Sequence, residues 1–478
     1  MRALNRCNKS LLYVGATLII FGLILIFSFS AIINYVVNLS LTLSENSASF
    51  EGWQKTRPLQ MNLYLFNWTN PEDINDPNIK PKFVEVGPYR LNHVREKVNI
   101  TWNTHNDTIT YKQLLSYYYD ENSPGNLSDV ITTIDMVALS LAQRTKDAVF
   151  IFKNPAKLTL LFSDIHMRKT AREMISGFKH TLVTAANALN FITGEDAPDQ
   201  FGWFYSVNQS IGFDGVYNVH TKAGDDFGSI KSWNYNNETE FYEGECGRIK
   251  GSAGEFYPNN LKPDHVTFFL PDLCRSLEFT YEGNVDIKDI PSYKYSAQDA
   301  AFDNGSKIER NKCFCSKRCF PSGVIDSTAC RNGVPIFYSL PHFYYADESY
   351  VNKIEGMNPQ KDKHEFYFTM EPWTGVITST AARLQFNVLL EPLADYQLFK
   401  GVPEVMFPIF WTENKLDLYD EYASKIRLLL MSPTINRIFA IVLIVIGLVC
   451  IAYVSIVMYF NEKRIVKSKV QKNEIQLK

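Results

Sequence analysis

The sequence predicts a mixed α+β chain with a membrane-spanning helix at each end. Three observations carry this reading. An uncharged apolar run lies near each terminus, many short β-like runs bounded by turn residues lie between them, and a helix-like stretch interrupts those runs at 128–190.

The first apolar run, "LLYVGATLIIFGLILIFSFSAII" at 11–33, has 23 residues and no charge. As a helix it measures about 35 Å, enough for the ~30 Å hydrocarbon core of a bilayer. The small residues "SFSA" at 28–31 resemble a signal-peptidase site. The run is longer than a signal core of roughly 7–15 residues and continues past them, which favours a retained span. The second run, "IFAIVLIVIGLVCIAYVSIVMYF" at 438–460, has the same length and no such rival. Arg2, Arg6 and Lys9 precede the first run. Lys463, Arg464, Lys467, Lys469, Lys472 and Lys478 follow the second, against Glu462 and Glu474. Basic flanks stay in the cytosol. Both tails, 1–10 and 461–478, are therefore expected inside, and residues 34–437 outside the cell or in a lumen.

Within that exported region Asn38, Asn67, Asn99, Asn106, Asn126, Asn208, Asn237 and Asn304 each open an Asn-x-Ser/Thr tripeptide. Such density fits a heavily glycosylated ectodomain. Asn38 lies close to the span, so the other seven are the candidate acceptors. The same region holds Cys246, Cys274, Cys313, Cys315, Cys319 and Cys330. An even number of cysteines in an oxidising compartment predicts disulfides. Zinc is the competing reading of "KCFCSKRCFPSGVIDSTAC". Structural zinc sites favour C-x2-C pairs, and this segment runs C-x-C-x3-C-x10-C. Six cysteines pair in many ways, and spacing does not choose among them. Cys7, beside the membrane in the N-terminal tail, is a candidate palmitoylation site, and Cys450 reads as an apolar residue of the second span.

The net charge is −3, and because the tails are basic the ectodomain is more acidic than this. That balance does not describe a nucleic-acid binder. Aromatic residues make up 14% of the chain, with 33 Phe and 26 Tyr, enough to build a large core. No linker or repeat divides the ectodomain, so one large domain is expected. "QMNLYLFNWT", "VTFFLP", "HEFYFTMEP" and "RLQFNVLLEP" read as strands. Within 128–190, "TARE" at 170–173 has the spacing of a capping box. The helix it opens places Ala171, Met174, Ile175, Phe178, Leu182, Ala185 and Leu189 on one face, with Arg172, Lys179 and His180 opposite. That opposite face is either a solvated surface or a basic ligand-recognition surface.

No catalytic constellation stands out. The chain has no G-x-S-x-G, H-E-x-x-H or phosphate-binding loop, and "HE" at 364–365 lacks the second histidine. No enzyme activity, cofactor or metal is expected. Two spans around a disulfide-bonded ectodomain also describe ATP-gated trimeric channels. The second run, however, is polar only at Tyr453, Ser455 and Tyr459, late in its length.

"FNWTNPEDI" (66–74), "EVGPYRL" (85–91), "DLCRS" (272–276), "CFC" (313–315), "SLPHFYYAD" (339–347) and "EPWTG" (371–375) are similar to signatures of the class B scavenger receptors. The resemblance is collinear over nearly the whole chain, with the same two-span topology. It implies a distorted antiparallel β-barrel core, a largely apolar internal tunnel, and a helical bundle at the apex within about 128–190. It implies the disulfides Cys246–Cys313, Cys274–Cys330 and Cys315–Cys319. It implies a receptor that binds fatty acids, sterols or phospholipids, or lipoprotein-like or apoptotic-cell particles, and conducts fatty acids or sterols to the membrane. A phagocytic or adhesion receptor, or a lysosomal sorting receptor without lipid transfer, is the alternative. Oligomers are compatible with it.

"TAREMISGFKH" resembles a helix of that family, with Ser176 where Trp is usual. Just before it, "LTLLFSDIHMRK" places Leu160 and Phe162 where several members have lipoprotein-binding lysines. Lys153, Lys157, Arg168, Lys169 and Arg172 are nearby substitutes. The C-terminal tail has no acidic di-leucine signal, which points to the plasma membrane rather than a lysosomal or endosomal one. Tags on both termini are expected to be masked on intact cells and exposed by permeabilisation. A mature N-terminus near Ala31 would instead mark the first run as a cleaved signal.

Overall fold

The computed structural model describes residues 6–188, 199–315, 318–331 and 333–476. The chain forms two units, one of Met1–Leu39 with Tyr419–Lys478, the other of Ser40–Leu418.

The first unit is a pair of long helices. Helix α1 spans Arg6–Leu41, and the C-terminal helix spans Asp420–Gln476. Each carries an apolar stretch long enough to cross a membrane. Both helices run well beyond the apolar stretches. Glycine lets them touch. A Cβ at Gly15 would lie 2.8 Å from the Gly447 carbonyl oxygen, and one at Gly447 would lie 2.6 Å from the Gly15 oxygen. Small residues permit this backbone approach where no hydrophobic force drives helices together. The amide of Asn436 also donates to the Leu25 carbonyl at 3.2 Å. Phe27, Ile24, Val445 and Val449 point outward, as a lipid-facing surface requires.

The second unit opens with helix α2 (Ala48–Gln54) and is built on a 13-stranded sheet. Its strands are β1 (Leu59–Trp68), β2 (Phe83–Asn103), β3 (Thr108–Tyr119), β6 (Ser210–His220), β7 (Ile230–Trp233), β8 (His265–Leu270), β9 (Arg275–Ile287), β10 (Ile290–Ser296), β11 (Val324–Asp326), β12 (Ile336–Ser339), β13 (Tyr367–Met370), β14 (Ile377–Leu390) and β15 (Val405–Asp417). The order is β7-β6-β3-β2-β1-β15-β14-β13-β10-β9-β8, with β12 branching from β14 to pair β11. Every pairing between these strands is antiparallel.

The two edges, β7 and β8, are joined by a single short segment. Ile230 N–H donates to the Gly251 carbonyl at 2.9 Å. Ser252 N–H donates to the Thr267 carbonyl at 3.1 Å, and the Ser252 carbonyl accepts from Phe269 N–H at 2.9 Å. Ser252 thus bridges both edges and brings the sheet close to a closed barrel. Gly251 makes this possible. Its φ is +82°, and a Cβ there would lie 2.0 Å from the Thr267 oxygen.

The stretch 128–190 is not helical throughout. Val130–Ile134, a run rich in β-branched residues, forms β4 and pairs with β5 (His166–Thr170) in a separate two-stranded sheet. Helices α3 (Met136–Thr145) and α4 (Phe150–Leu160) connect the two. The capping box at Thr170 is present: Glu173 N–H donates to Thr170 Oγ1 at 3.2 Å, and Thr170 N–H to Glu173 Oε2 at 2.9 Å. The helix it opens is shorter than the periodicity suggests. Helix α5 (Ala171–Ser176) stops at Gly177, whose φ is +103°. Phe178 then pairs with Phe201 through two backbone hydrogen bonds, and α6 (Thr181–Ala188) starts anew. Ala171, Met174, Ile175, Phe178 and Leu182 are still buried, and Leu189 lies outside the described residues. His180 is not on a solvated face. Its Nδ1 accepts from Leu182 N–H at 3.2 Å, so its Nε2 carries the proton and donates to Asp135 Oδ2 at 3.1 Å.

The largest core cluster packs Phe66, Trp68, Phe83, Phe343, Tyr396 and Phe407. Trp68 and Phe83 meet Phe407 edge-on at 5.0 and 4.7 Å. A second lies under β8–β10 and β13, around Phe268, Phe279, Phe366 and Phe368. A third gathers Leu43, Trp53, Tyr111, Tyr217 and Trp233.

Gly251→Ala is expected to cost about 2 kcal/mol or more, because a strained φ is added to a backbone clash. Gly254→Ala is the control. Gly254 has a φ of +101° but nothing within 4 Å of an added Cβ. Thermal unfolding of the two variants should separate closure of the sheet from local strain.

Candidate functional site

Two features of the large unit stand apart from ordinary folding: an apolar face on its helices and a polar space inside its sheet.

Helix α4 buries only Ala156 and Leu160 against its neighbours. Much of its remaining surface is apolar and exposed: Phe150 (77%), Ile151 (73%) and Leu158 (60%), continued by Leu161 (60%) and Phe162 (87%). Contiguous exposed hydrophobic surface of this kind marks an interaction site. The cations expected to act here are mostly engaged within the protein. Lys153 and Lys157 both pair with Asp395, the latter at 2.9 Å. The two ammonium groups hold the Asp395 carboxyl at about 2, well below its ordinary range. Lys169 pairs with Glu173 at 3.6 Å and sits over the Phe178 ring at 4.5 Å. Arg172 lies over the Tyr119 ring at 5.2 Å. Arg168 is exposed, and it edges a cavity of about 400 Å3 lined also by Asp135, Phe162, Asp164, His166 and His180.

Inside the sheet, alternate residues of β2 point to one face: Tyr89, Leu91, His93, Arg95 and Lys97. His93 and Lys97 are 3% and 1% exposed. Lys97 Nζ lies 2.7 Å from Glu255 Oε1 and 5.6 Å from the centre of the Trp53 ring. The Tyr111 and Tyr217 rings stack at 5.3 Å, and Tyr217 Oη donates to Asp214 Oδ2 at 2.9 Å. Burial pushes the Asp214 carboxyl up to about 6. Burial, helped by the Arg95 charge, pushes the His93 imidazole down to about 3. His93 is therefore neutral at physiological pH.

Arg95, Tyr117 and Tyr338 are half-buried. Asp214 borders a cavity of about 290 Å3 lined by Trp233, Phe241, Asp272, Cys274 and Arg331.

The model of the CD36 family matches residues 13–458, nearly the whole chain. The chain belongs to the CD36 family. It is 36% identical to Protein peste of Drosophila melanogaster over 86% of this chain and 75% of that one. It is 29% identical to Lysosome membrane protein 2 of Mus musculus over 84% and 83%, and 28% identical to Scavenger receptor class B member 1 of Bos taurus over 86% and 81%. With its two apolar helices, this CD36-family chain is a membrane protein of two spans, at the plasma or lysosomal membrane. Members of the family are receptors rather than enzymes.

The signature residues of this CD36-family chain act as scaffold. Glu85 of "EVGPYRL" accepts from Trp411 Nε1 at 2.7 Å and from His342 Nε2 of "SLPHFYYAD" at 2.6 Å. The His342 ring stacks on His364 at 4.4 Å, and burial pushes the His364 imidazole down to about 4. In "EPWTG", Glu371 Oε2 accepts from Thr374 N–H at 2.7 Å. In "FNWTNPEDI", Asn67 Oδ1 accepts from Thr132 N–H at 2.8 Å and ties β1 to β4. Among the described residues no group of histidines, cysteines and carboxylates is arranged to hold a metal.

The cysteines bond as Cys246–Cys313, Cys274–Cys330 and Cys315–Cys319. Cys7 and Cys450 are free, and Cys7 is exposed. Of the sequon asparagines, Asn38, Asn99, Asn126, Asn208 and Asn237 are exposed, and Asn67, Asn106 and Asn304 are half-buried.

Asp214 makes stability depend on pH. Its folded-state carboxyl is raised from 3.8 to about 6, so its contribution is fully present below pH 3.8 and is lost as pH rises through about 6. Asp214→Asn removes the buried charge and keeps an acceptor for Tyr217. Relative to the parent, the variant should gain up to about 3 kcal/mol between pH 4 and pH 7.5, read from denaturant unfolding at both.

Proposed function

We propose that this protein is a class B scavenger receptor that collects lipid at the α4 face and conducts fatty acids or sterols through the interior of its sheet to the membrane. The observation that carries the reading is the exposed apolar run Phe150, Ile151, Leu158, Leu161 and Phe162, on a unit whose sheet is almost closed into a barrel.

The driving force is physical. Each methylene leaving water contributes about 0.8 kcal/mol, so a long-chain fatty acid, a sterol or a phospholipid tail favours any dry passage. A protected interior lowers the barrier to crossing the aqueous layer. The exposed rings of Phe150 and Phe162 supply the first contact. They can insert between the headgroups of lipoprotein-like particles, or of the apoptotic cells that the alternative reading invokes. Because Asp395 pairs with both Lys153 and Lys157 and offsets one of their two charges, the α4 face attracts by apolar contact more than by charge. Arg168 remains to steer an anionic particle. The plasma membrane is the proposed site of action, with both tails cytosolic.

Cells expressing the full-length protein should take up long-chain fatty acid faster than control cells. A Phe150→Ser, Phe162→Ser variant should lose about tenfold in particle capture, since two lost ring contacts exceed the ~1.4 kcal/mol that a tenfold change requires. Raising ionic strength should change capture by less than about twofold. If the full-length protein binds particles but never speeds lipid entry, recognition and engulfment become the better account.

A further inference from the structure

The C-terminal helix does not end with its apolar run. It leaves that run at Tyr459 and Phe460 and continues unbroken to Gln476. Aromatic residues at the end of a span sit at the headgroup level of a bilayer. The residues that follow therefore emerge beside the headgroups. From Asn461 to Gln471 every side chain is exposed. Four of them are cations, Lys463, Arg464, Lys467 and Lys469, against the single acid Glu462. Lys153, Lys157 and Lys169 of the large unit are paired with carboxylates, but none of these four forms an ion pair among the described residues.

Their placement is uneven. At about 100° per residue, Lys463, Lys467 and Arg464 fall within an arc of about 100°. Val466 and Val470 flank that arc on one side, in line with Tyr459, while Glu462 and Lys469 lie opposite. The side chains also lean toward the bilayer. Cα–Cβ bonds tilt toward the N-terminus of a helix, which for this tail is the direction of the span. Lys463 shows the lean: its Nζ lies 4.8 Å from the centre of the Tyr459 ring, one turn back. Lys467 is only about 10 Å of helix beyond Phe460, and its flexible stem shortens that distance toward the ~8 Å screening length.

We infer that Lys463, Arg464 and Lys467 hold a collar of singly charged anionic phospholipid, of the phosphatidylserine class, in the cytosolic leaflet around the exit of the C-terminal helix. The three cations lie along a convex stripe rather than in a pocket, so they suit several singly charged headgroups better than one polyvalent one. A helix-wrapping protein of the calmodulin kind needs bulky apolar anchors at helical spacing. Beyond Phe460 the apolar side chains of the exposed stretch are only Ile465, Val466 and Val470. The membrane is also present by continuity, since the same helix crosses it. The inference rests on the cytosolic tails proposed above and is independent of whether lipid passes through the ectodomain.

The test reads the lipid shell of full-length protein reconstituted in phosphatidylcholine vesicles, with spin-labelled phosphatidylserine and phosphatidylcholine as probes. At about 10 mM salt the parent should hold the phosphatidylserine probe about threefold more strongly, and about 0.5 M salt should bring the ratio close to one. Lys463→Gln, Arg464→Gln and Lys467→Gln together should remove at least half of the preference, and Lys469→Gln alone should leave most of it. A parent ratio near one at low salt would overturn the inference. So would a ratio that the triple variant keeps, or one that Lys469→Gln lowers as far as the triple variant does. An inositol bisphosphate probe held more than about tenfold over phosphatidylserine would replace the collar with a site for one polyvalent headgroup. If the ratio is near one and calcium-loaded calmodulin binds these vesicles instead, the stripe belongs to a protein partner. The vesicles carry the probes in both leaflets, so a C-terminal tag accessible on intact cells would refute the cytosolic placement alone. Fatty-acid entry into cells reads the proposed conduction by a different signal, and the two can fail separately.

Discussion

A long antiparallel sheet has two edges, and each edge is a row of unpaired backbone groups that invites other chains. The large unit resolves this with two adjacent residues. Ser252 hydrogen-bonds across the edge of β8 while the Gly251 carbonyl accepts from Ile230 N–H at the edge of β7. Everything enclosed by the sheet depends on that junction. Without it the interior that contains His93, Arg95 and Lys97 would open to bulk water, and neither the perturbed acidity of Asp214 nor the neutrality of His93 would hold.

Enclosure also explains an inversion of the usual arrangement. Soluble domains keep charge outside and grease inside. Here α4 shows Phe150, Ile151 and Phe162 to the outside while its lysines fold back onto Asp395. The interior of the sheet holds arginine, lysine, histidine and two carboxylates. Both departures cost stability, one at the surface and one within the sheet. The scaffold between them is conventional: aromatic clusters, satisfied turns and the Glu85–His342–Trp411 network.

The spans were legible because a bilayer demands length and lack of charge, and nothing else in the chain meets both. The cysteine chemistry was legible from compartment. The fold class followed from the motifs, yet the motif residues describe scaffold. They say little of the site, since Glu85, His342 and Glu371 spend their hydrogen bonds on neighbouring strands and turns. The stretch 128–190 misled because apolar residues at helical spacing also fit two short helices broken at Gly177. The site itself was hidden for a plainer reason. In "HVREK" the alternation of polar residues reads as a solvated strand face. Only the register of β2 against β3, with the burial of Lys97, reveals that this face turns inward. Local pattern gives the period of a strand; which side is wet is decided by partners far away in the chain.

The pairing of β1 with β15 adds a consequence for biogenesis. Met61 finds Asn414 and Leu63 finds Thr412 only after almost the entire domain has been made. During translation β1 has β2 on one flank and nothing on the other, so the nascent barrel stays an open, sticky sheet until its last strand arrives. Quality control in the secretory pathway therefore has a simple cue to read. A chain that stops short of Val405, or arrives with β15 damaged, displays bare edges on β1 and β14 at once, and the defect is visible from both sides of the same gap.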